Sequence, residues 1–343
     1  MELRPLPIGV CGFGAVSPAG WGAAELVNAA RTGRFLPFEE GTRAQGAPTV
    51  RARRVPPPQS PLAFAREPRL RRSSAIAQFA TAAALEALGT DRAAAAQRGA
   101  LRLGVIFNMM NGCVNFSRRF YSEVLADPHS ASPLIFPETV FNAPSSHLAA
   151  LLDARHNNYT LVGDSAQFVA SLDLAAQWLE GDEVDGCLVV GAEEFDWLTA
   201  EAAALFDRSL VVTEGAAALY FERSGRAQVQ LTGPHIFTSK LSRRSAAERV
   251  RAEMASAMAA TSSAVLFDGL SGSGKSDAVE AAVWSDWKGA RVSVKKNLGD
   301  GFGAAAGWQC VAAAAALASG ECQVAAISAP GTNQQAVGAL IFS

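Results

Sequence analysis

One segment of this 343-residue chain is arranged to present a reactive side chain, and the residue it presents is Gln167. The stretch from Asn157 to Phe195 reads as an apolar strand (Tyr159–Val162), a tight Gly-Asp-Ser-Ala turn, a helix, and a second buried strand (Cys187–Gly191). A side chain delivered to a helix N-terminus sits where the helix dipole favours negative charge, which is how a cysteine there becomes a thiolate. An amide has no such chemistry. Ser165 has no histidine base placed by motif and is read as the cap of the helix. The turn is not a nucleophile elbow, because that pattern needs glycine where Gln167 stands.

Two glycine-rich segments suggest other chemistry. Gly269–Ser276 fits the phosphate-loop pattern GxxxxGK[ST], follows an apolar run and precedes a helical one, which makes Lys275 a candidate phosphate ligand of an ATP-binding module. Against this, too few residues follow Ser276 for most of an NTPase core. Gly12–Ser17 begins like a dinucleotide-binding fingerprint but lacks its third glycine and the downstream acidic residue, and is read as a tight turn.

Composition narrows the classes. With 49% hydrophobic residues and a formal charge of −2, the chain can bury a large core as one big domain or two ordinary ones. Near-neutral charge argues against nucleic acid as the main partner, and the arginines of 51–54 and 69–72 are read as solvated surface. The five cysteines are odd in number and scattered without a CxxC pair, so neither a disulfide framework nor a metal site is expected, nor any cofactor. Cys187 and Cys310 read as small core residues. No basic segment followed by an apolar run opens the chain, and its apolar stretches are too short to span a bilayer. The expectation is a cytoplasmic protein without membrane insertion.

Apolar strands alternate with alanine-rich helices, the pattern of an α/β protein with buried sheets. Strands are predicted at 8–11, 103–107, 159–162, 187–190, 217–221, 228–231, 264–267, 292–294, 324–327 and 337–342. Helices are predicted at 74–88, 145–152, 169–179, 246–260, 277–284 and 304–318, and Pro37–Ala65 is read as a long loop. The order strand, turn, helix, strand, strand occurs once around Gln167 and again from Val292 to the end. This predicts an internal duplication with a seam near Arg223–Arg226. Residues 1–225 form one half, residues 226–343 the other, and the two pack tightly as a single unit.

At this point the chain resembles the β-ketoacyl synthases. Residues 8–22 resemble that family's opening strand and loop, and residues 69–88 its first long helix. Residues 132–149 resemble the segment before its nucleophile strand, and 210–223 the end of its first half. Residues 292–309 resemble its lysine-and-histidine motif, and 330–342 its closing Gly-Thr-Asn strand. The resemblance implies the thiolase-like fold, a duplicated αβαβα arrangement. It also implies where catalysis would sit, because the family's condensing enzymes use a cysteine nucleophile and two histidines that hold the thioester oxyanion or enolate.

The departures from that pattern decide the functional expectation. Gln167 takes the cysteine position, Gly269 the first histidine position and Asp300 the second, while the family's lysine survives as Lys295. The only histidines are His129, His147, His156 and His235, so nothing after residue 235 is a histidine and neither histidine position of the second half can supply its imidazole. Losing one oxyanion donor typically costs about 3–4 kcal/mol of transition-state stabilisation, and here both are gone. A carboxylate at 300 would also repel a malonyl anion. No catalytic residue is therefore expected.

Glutamine at the nucleophile position with the histidine pair lost is similar to the chain-length-factor subunits of type II polyketide systems. That similarity implies a non-catalytic partner of a β-ketoacyl synthase, forming a heterodimer that receives substrate from acyl carrier protein. Such a subunit shapes the acyl tunnel and product length in polyketide or polyene biosynthesis, and the compactness of the chain hints at the aryl-polyene type. It places Tyr159 and Leu161 on a strand that pairs across the dimer axis. It places Met109, Met110, Phe116 and Phe141 in tunnel-side loops (108–116 and 136–144), where ordinary core is the alternative. Ala329 falls at the family's gating phenylalanine. Cys113 as a displaced nucleophile lacks a motif-placed histidine. A malonyl-ACP decarboxylase, the role of glutamine-substituted ketosynthases that keep both histidines, and the ATP module remain as rival readings.

Overall fold

A computed structural model describes residues 3–33, 35–62, 64–225, 227–261 and 263–342. Ala63 in the expected loop and Arg226 at the expected seam lie outside the described residues, as do residues 1 and 343 at the ends of the expected halves.

The chain opens with β1 (Arg4–Ser17), β2 (Gly20–Trp21), α1 (Ala23–Thr32), β3 (Glu39–Gly41) and β4 (Val50–Arg53). Next come α2 (Ala75–Gln97), β5 (Leu103–Met109), α3 (Val114–Ala126), α4 (Ala143–Leu152) and β6 (Asn158–Val162). The first half ends with α5 (Ser165–Glu180), β7 (Gly186–Glu193), α6 (Trp197–Phe206), β8 (Val211–Thr213) and β9 (Gly215–Glu222). The second half contains β10 (Ala227–Leu231), β11 (His235–Ile236), α7 (Lys240–Ala259), β12 (Ala264–Phe267) and α8 (Ala278–Val283). It finishes with β13 (Ala290–Val292), α9 (Val294–Leu298), α10 (Ala305–Ala318), β14 (Val324–Ala329) and β15 (Gln335–Phe342).

Strand order reveals the repeat. The first set runs β1-β9-β7-β5-β6 across the sheet, and the second runs β10-β15-β14-β12-β13. Each set has the same sequence of pairings, two antiparallel followed by two parallel. β1 and β10 pair antiparallel and join the sets. Helices α5 and α10 lie against each other and against strands of both sets, while α2 covers one outer face and α7 the other. These are the five layers of a thiolase-like αβαβα fold. The central position of α10 follows from its sequence, apolar on nearly every side, which suits a helix buried between two sheets.

Several local expectations need correction. Gly12–Ser17 is the last part of β1 and not a turn. Its glycines serve packing: a Cβ at Gly12 would lie 2.0 Å from the carbonyl oxygen of Ala87, and one at Gly14 2.2 Å from that of Ala83, so bare backbone lets α2 rest on the strand. The strand expected over 292–294 ends at Val292, because its partner β12 ends there and Val294 already opens α9. The loop expected over 37–65 contains β3 and β4; β3 pairs with β4, and β4 with β8, in a small second sheet. β3 is only three residues long and β4 finds its second partner far away in sequence, so no local pattern marks them. Helices α1, α3 and α6 lie outside the predicted helices; α3 buries no residue and α6 buries only Ala200 and Ala204.

Candidate functional site

The turn before α5 is held by its own carboxylate. Asp164 is the N-cap of the helix and accepts a hydrogen bond from the Ala166 amide at 3.1 Å. This corrects the assignment of the cap to Ser165, which is the first helical residue; the aspartate before it has the extended backbone that a cap requires. The second Asp164 oxygen accepts the Thr332 amide, the Thr332 hydroxyl at 3.1 Å and the Asn333 amide at 2.9 Å. The Gly-Thr-Asn loop is thereby fastened to the start of α5. Gly331 stands there at φ +56, and a Cβ on it would fall 2.0 Å from the Gln335 carbonyl oxygen.

Gln167 is half-buried in the first turn of α5. Its carbonyl oxygen accepts from the Gln335 side-chain amide at 3.1 Å. A Cβ at Gly163 would lie 2.7 Å from the Gln167 Cβ, so the glycine ahead of the turn makes room for this side chain.

Gly269 and Asp300, the two positions that the resemblance assigns to histidines, are closed in different ways. A Cβ at Gly269 would come 2.8 Å from Pro330 Cδ, so proline occupies the direction any side chain would take. At the other position, the Asp300 carboxylate is paired with Lys295 Nζ at 2.9 Å, and both side chains are buried. The pairing neutralises the carboxylate, so the repulsion of malonate expected from the sequence is weaker than a free charge would give. The lack of an imidazole at either position stands.

Gly269, Lys295 and Asp300 meet, together with Ser165 and Thr332, around one cavity of about 20 Å³. That is room for roughly one water molecule. Gln167 is not among the residues around it. Three charged groups that no motif marked also face it, Arg243 from α7, Asp277 just ahead of α8 and Glu280 from α8. Burial lowers the Arg243 pKa, against the pull of Asp164, Glu280 and Asp277. Burial pushes Glu280 up to about 7, although it accepts from the Gly269 amide at 3.1 Å and the Ser328 hydroxyl at 3.1 Å.

No thiol or imidazole of the described residues lines this cavity. Cys113 is buried against the Ser74 hydroxyl at 3.4 Å, and burial pushes its pKa up to about 12, the opposite of an activated nucleophile. His147 bonds to both oxygens of Glu138 at 2.8 and 2.9 Å, and His235 to Glu253 at 2.8 Å. His129 and His156 are exposed.

The phosphate-loop pattern has folded onto the protein's own carboxylates. Asp277 accepts the amides of Ser271 at 2.8 Å and Gly272 at 2.7 Å. Asp207 accepts the hydroxyls of Ser273 and Ser276, the latter at 2.7 Å. Burial alone would raise Asp207, but the Ser273, Ser209 and Ser276 hydroxyls hold it well below the usual carboxylate range. Lys275 reaches the Phe206 carbonyl. The Ser271 and Gly272 amides, the Ser273 and Ser276 hydroxyls and the Lys275 ammonium are thus already engaged, which runs against the ATP reading.

The remaining expected residues do not form one site: Met109 ends β5, its carbonyl accepting the Gly163 amide of the turn before Gln167, while Phe116 is on α3 and Tyr159 and Leu161 are on β6. Strand β6 is an edge of the sheet and is largely exposed, with Tyr159 at 52% and Val162 at 56%. Leu161 is half-buried, and the Tyr159 ring stands edge-on to Trp178 at 5.1 Å. Met109 is fully buried, Met110 and Phe116 are half-buried and Phe141 is exposed. Gly112 brings two of them together: at φ +71, its Cβ would lie 2.9 Å from Phe141 and 3.3 Å from Met109 Sδ. Among the described residues, no helix is long and apolar enough to cross a membrane.

The sequence matches no protein-family model and no curated protein. Solved structures do match over essentially the whole chain. The ishigamide ketosynthase/chain length factor aligns with a TM-score of 0.75 at 18% identity, covering 98% of this chain and 99% of that one. A type II PKS acyl-carrier protein in complex with its ketosynthase bound to the hexaketide (AntDE:AntF) gives 0.76 at 17% identity, covering 100% and 99%. A β-ketoacyl synthase from Burkholderia phymatum gives 0.74 at 16% identity, covering 98% and 99%. The chain therefore has the fold of the β-ketoacyl synthases and of the chain length factor structures among them.

Proposed function

We propose that this protein is the non-catalytic, chain-length-factor-like partner of a β-ketoacyl-ACP synthase in a cytoplasmic type II polyketide or polyene system. The observation that carries the reading is the closed pocket. Pro330 stands over Gly269, Lys295 ties down Asp300, and about 20 Å³ remains between them, too little for a thioester. Gln167 supplies no nucleophile beside it. The same features speak against a malonyl-ACP decarboxylase, which needs donors aimed at the developing enolate.

The partner surface in this reading is the exposed edge of β6, since an unpaired edge strand with apolar side chains calls for pairing. The neighbours described as a ketosynthase/chain length factor and as a carrier protein bound to its ketosynthase support this class of assembly. In this assignment residues 1–225 and 226–343 are the two halves of one unit. Co-expression with a catalytic ketosynthase, followed by co-purification and product analysis, tests the proposal. Stable pairing is expected for the wild type and its loss for Tyr159→Glu/Val162→Glu. A monomer that leaves the products unchanged would refute the pairing, and CO2 release from malonyl-ACP by the chain alone would establish the decarboxylase instead.

A further inference from the structure

Strand β7 runs into two consecutive carboxylates, Glu193 and Glu194, both buried. Neighbouring residues of an extended strand point to opposite faces, so the two side chains leave in opposite directions. Glu193 accepts the Met110 amide, the Asn111 amide and side chain at 3.3 Å each, and the Gly303 amide at 3.3 Å. Glu194 accepts the Asn115 amide at 3.1 Å and its side chain at 3.2 Å. One pair of acids thus grips both ends of the 110–115 loop, and Glu193 also fastens that loop to Gly303 of the second half. The contact is close: a Cβ at Gly303 would lie 2.8 Å from Met109 Cα and 2.9 Å from Glu193 Oε1.

We infer that Glu193 is a specificity-determining positioning residue: by holding Met110 and Asn111 against Gly303 it sets where the 109–111 backbone stands, and through it the length of acyl chain the paired enzyme accepts. This rests on the reading of the chain as a tunnel-shaping subunit. Its physical basis is that every partner of Glu193 is an N–H donor. A carboxylate satisfies them all, whereas an amide presents its own NH2 to one of them.

The test uses the full chain purified with its catalytic ketosynthase and supplied with malonyl-ACP. Glu193→Gln is expected to shift or broaden product length by at least one two-carbon unit, with total malonyl consumption within about twofold of wild type and the subunit ratio unchanged. Gly303→Ala, which pushes the same loop from the other side, should alter length in the same assay. Val250→Ala, a core change in α7, serves as the control for plain destabilisation and should leave length alone. Amide hydrogen exchange gives a readout independent of products: Glu193→Gln should speed exchange in 109–113 and 301–304 selectively.

Unchanged exchange in those segments overturns the clamp whatever the protein does. Faster exchange with unaltered product length overturns the specificity role. If the wild-type chain forms no complex with a ketosynthase, the reading under Proposed function fails and takes the specificity role with it, while the exchange result still reports on the clamp.

Discussion

Asp164 holds Thr332 through both its amide and its hydroxyl, and so joins the turn before Gln167 to the closing loop of the second half. The same carboxylate caps α5. One side chain therefore carries a local and a long-range duty, and its removal frees the buried Ala166 amide and the donors of the exposed Thr332 and Asn333.

Replacing Asp164 with Ala should cost on the order of 1–2 kcal/mol, mostly for the lost cap, since water can reach the freed donors of Thr332 and Asn333. Denaturant unfolding measures this directly. A loss below roughly 0.5 kcal/mol, the range of ordinary surface substitutions, would mean the loop is held by other contacts.

Restoring the family's reactive groups should fail to restore condensation. In Gln167→Cys/Gly269→His/Asp300→His the imidazole at 269 would have to pass Pro330 Cδ, 2.8 Å from its Cβ. Overpacking of this kind costs about 1–3 kcal/mol and displaces the ring from any productive pose. Measurable ketoacyl product from the purified triple variant would show that the pocket opens more readily than its closed form suggests.

Stability should fall as the solution becomes more alkaline. Burial raises Glu280 to about 7, so it holds its proton more tightly in the folded chain than in the unfolded one. Its contribution is full below the ordinary carboxylate range and is lost as pH rises through about 7. Thermal melts from the ordinary carboxylate range up through that value should show a declining contribution to Tm, and Glu280→Gln should flatten the slope. A slope that Glu280→Gln leaves unchanged contradicts burial as the dominant influence on this acid.

Met110 and Met109 differ as probes of the tunnel. Met110 is half-buried and Met109 is fully enclosed, so Met110→Trp should fold well while Met109→Trp overpacks the core by about 1–3 kcal/mol. In the paired complex Met110→Trp should shorten the product. Unaltered length in a well-folded complex removes Met110 from the tunnel wall.

The sequence by itself determined the alternation of buried strands with alanine-rich helices, the repeated order of elements and the missing sulfur and imidazoles. These are properties of residue type and local period, which need no partner from elsewhere in the chain. It did not reveal β4 and β8, whose pairing joins Arg51 to Val211 across a long separation, nor the short β3 beside β4. Nor did it reveal what fills the space left by the lost groups. That Pro330 stands over Gly269, that Lys295 neutralises Asp300, and that Asp277 and Asp207 engage the donors of a loop spelled like a phosphate cradle are facts of three-dimensional juxtaposition. Only folding brings these residues within bonding distance, and a motif cannot state whether its donors are free.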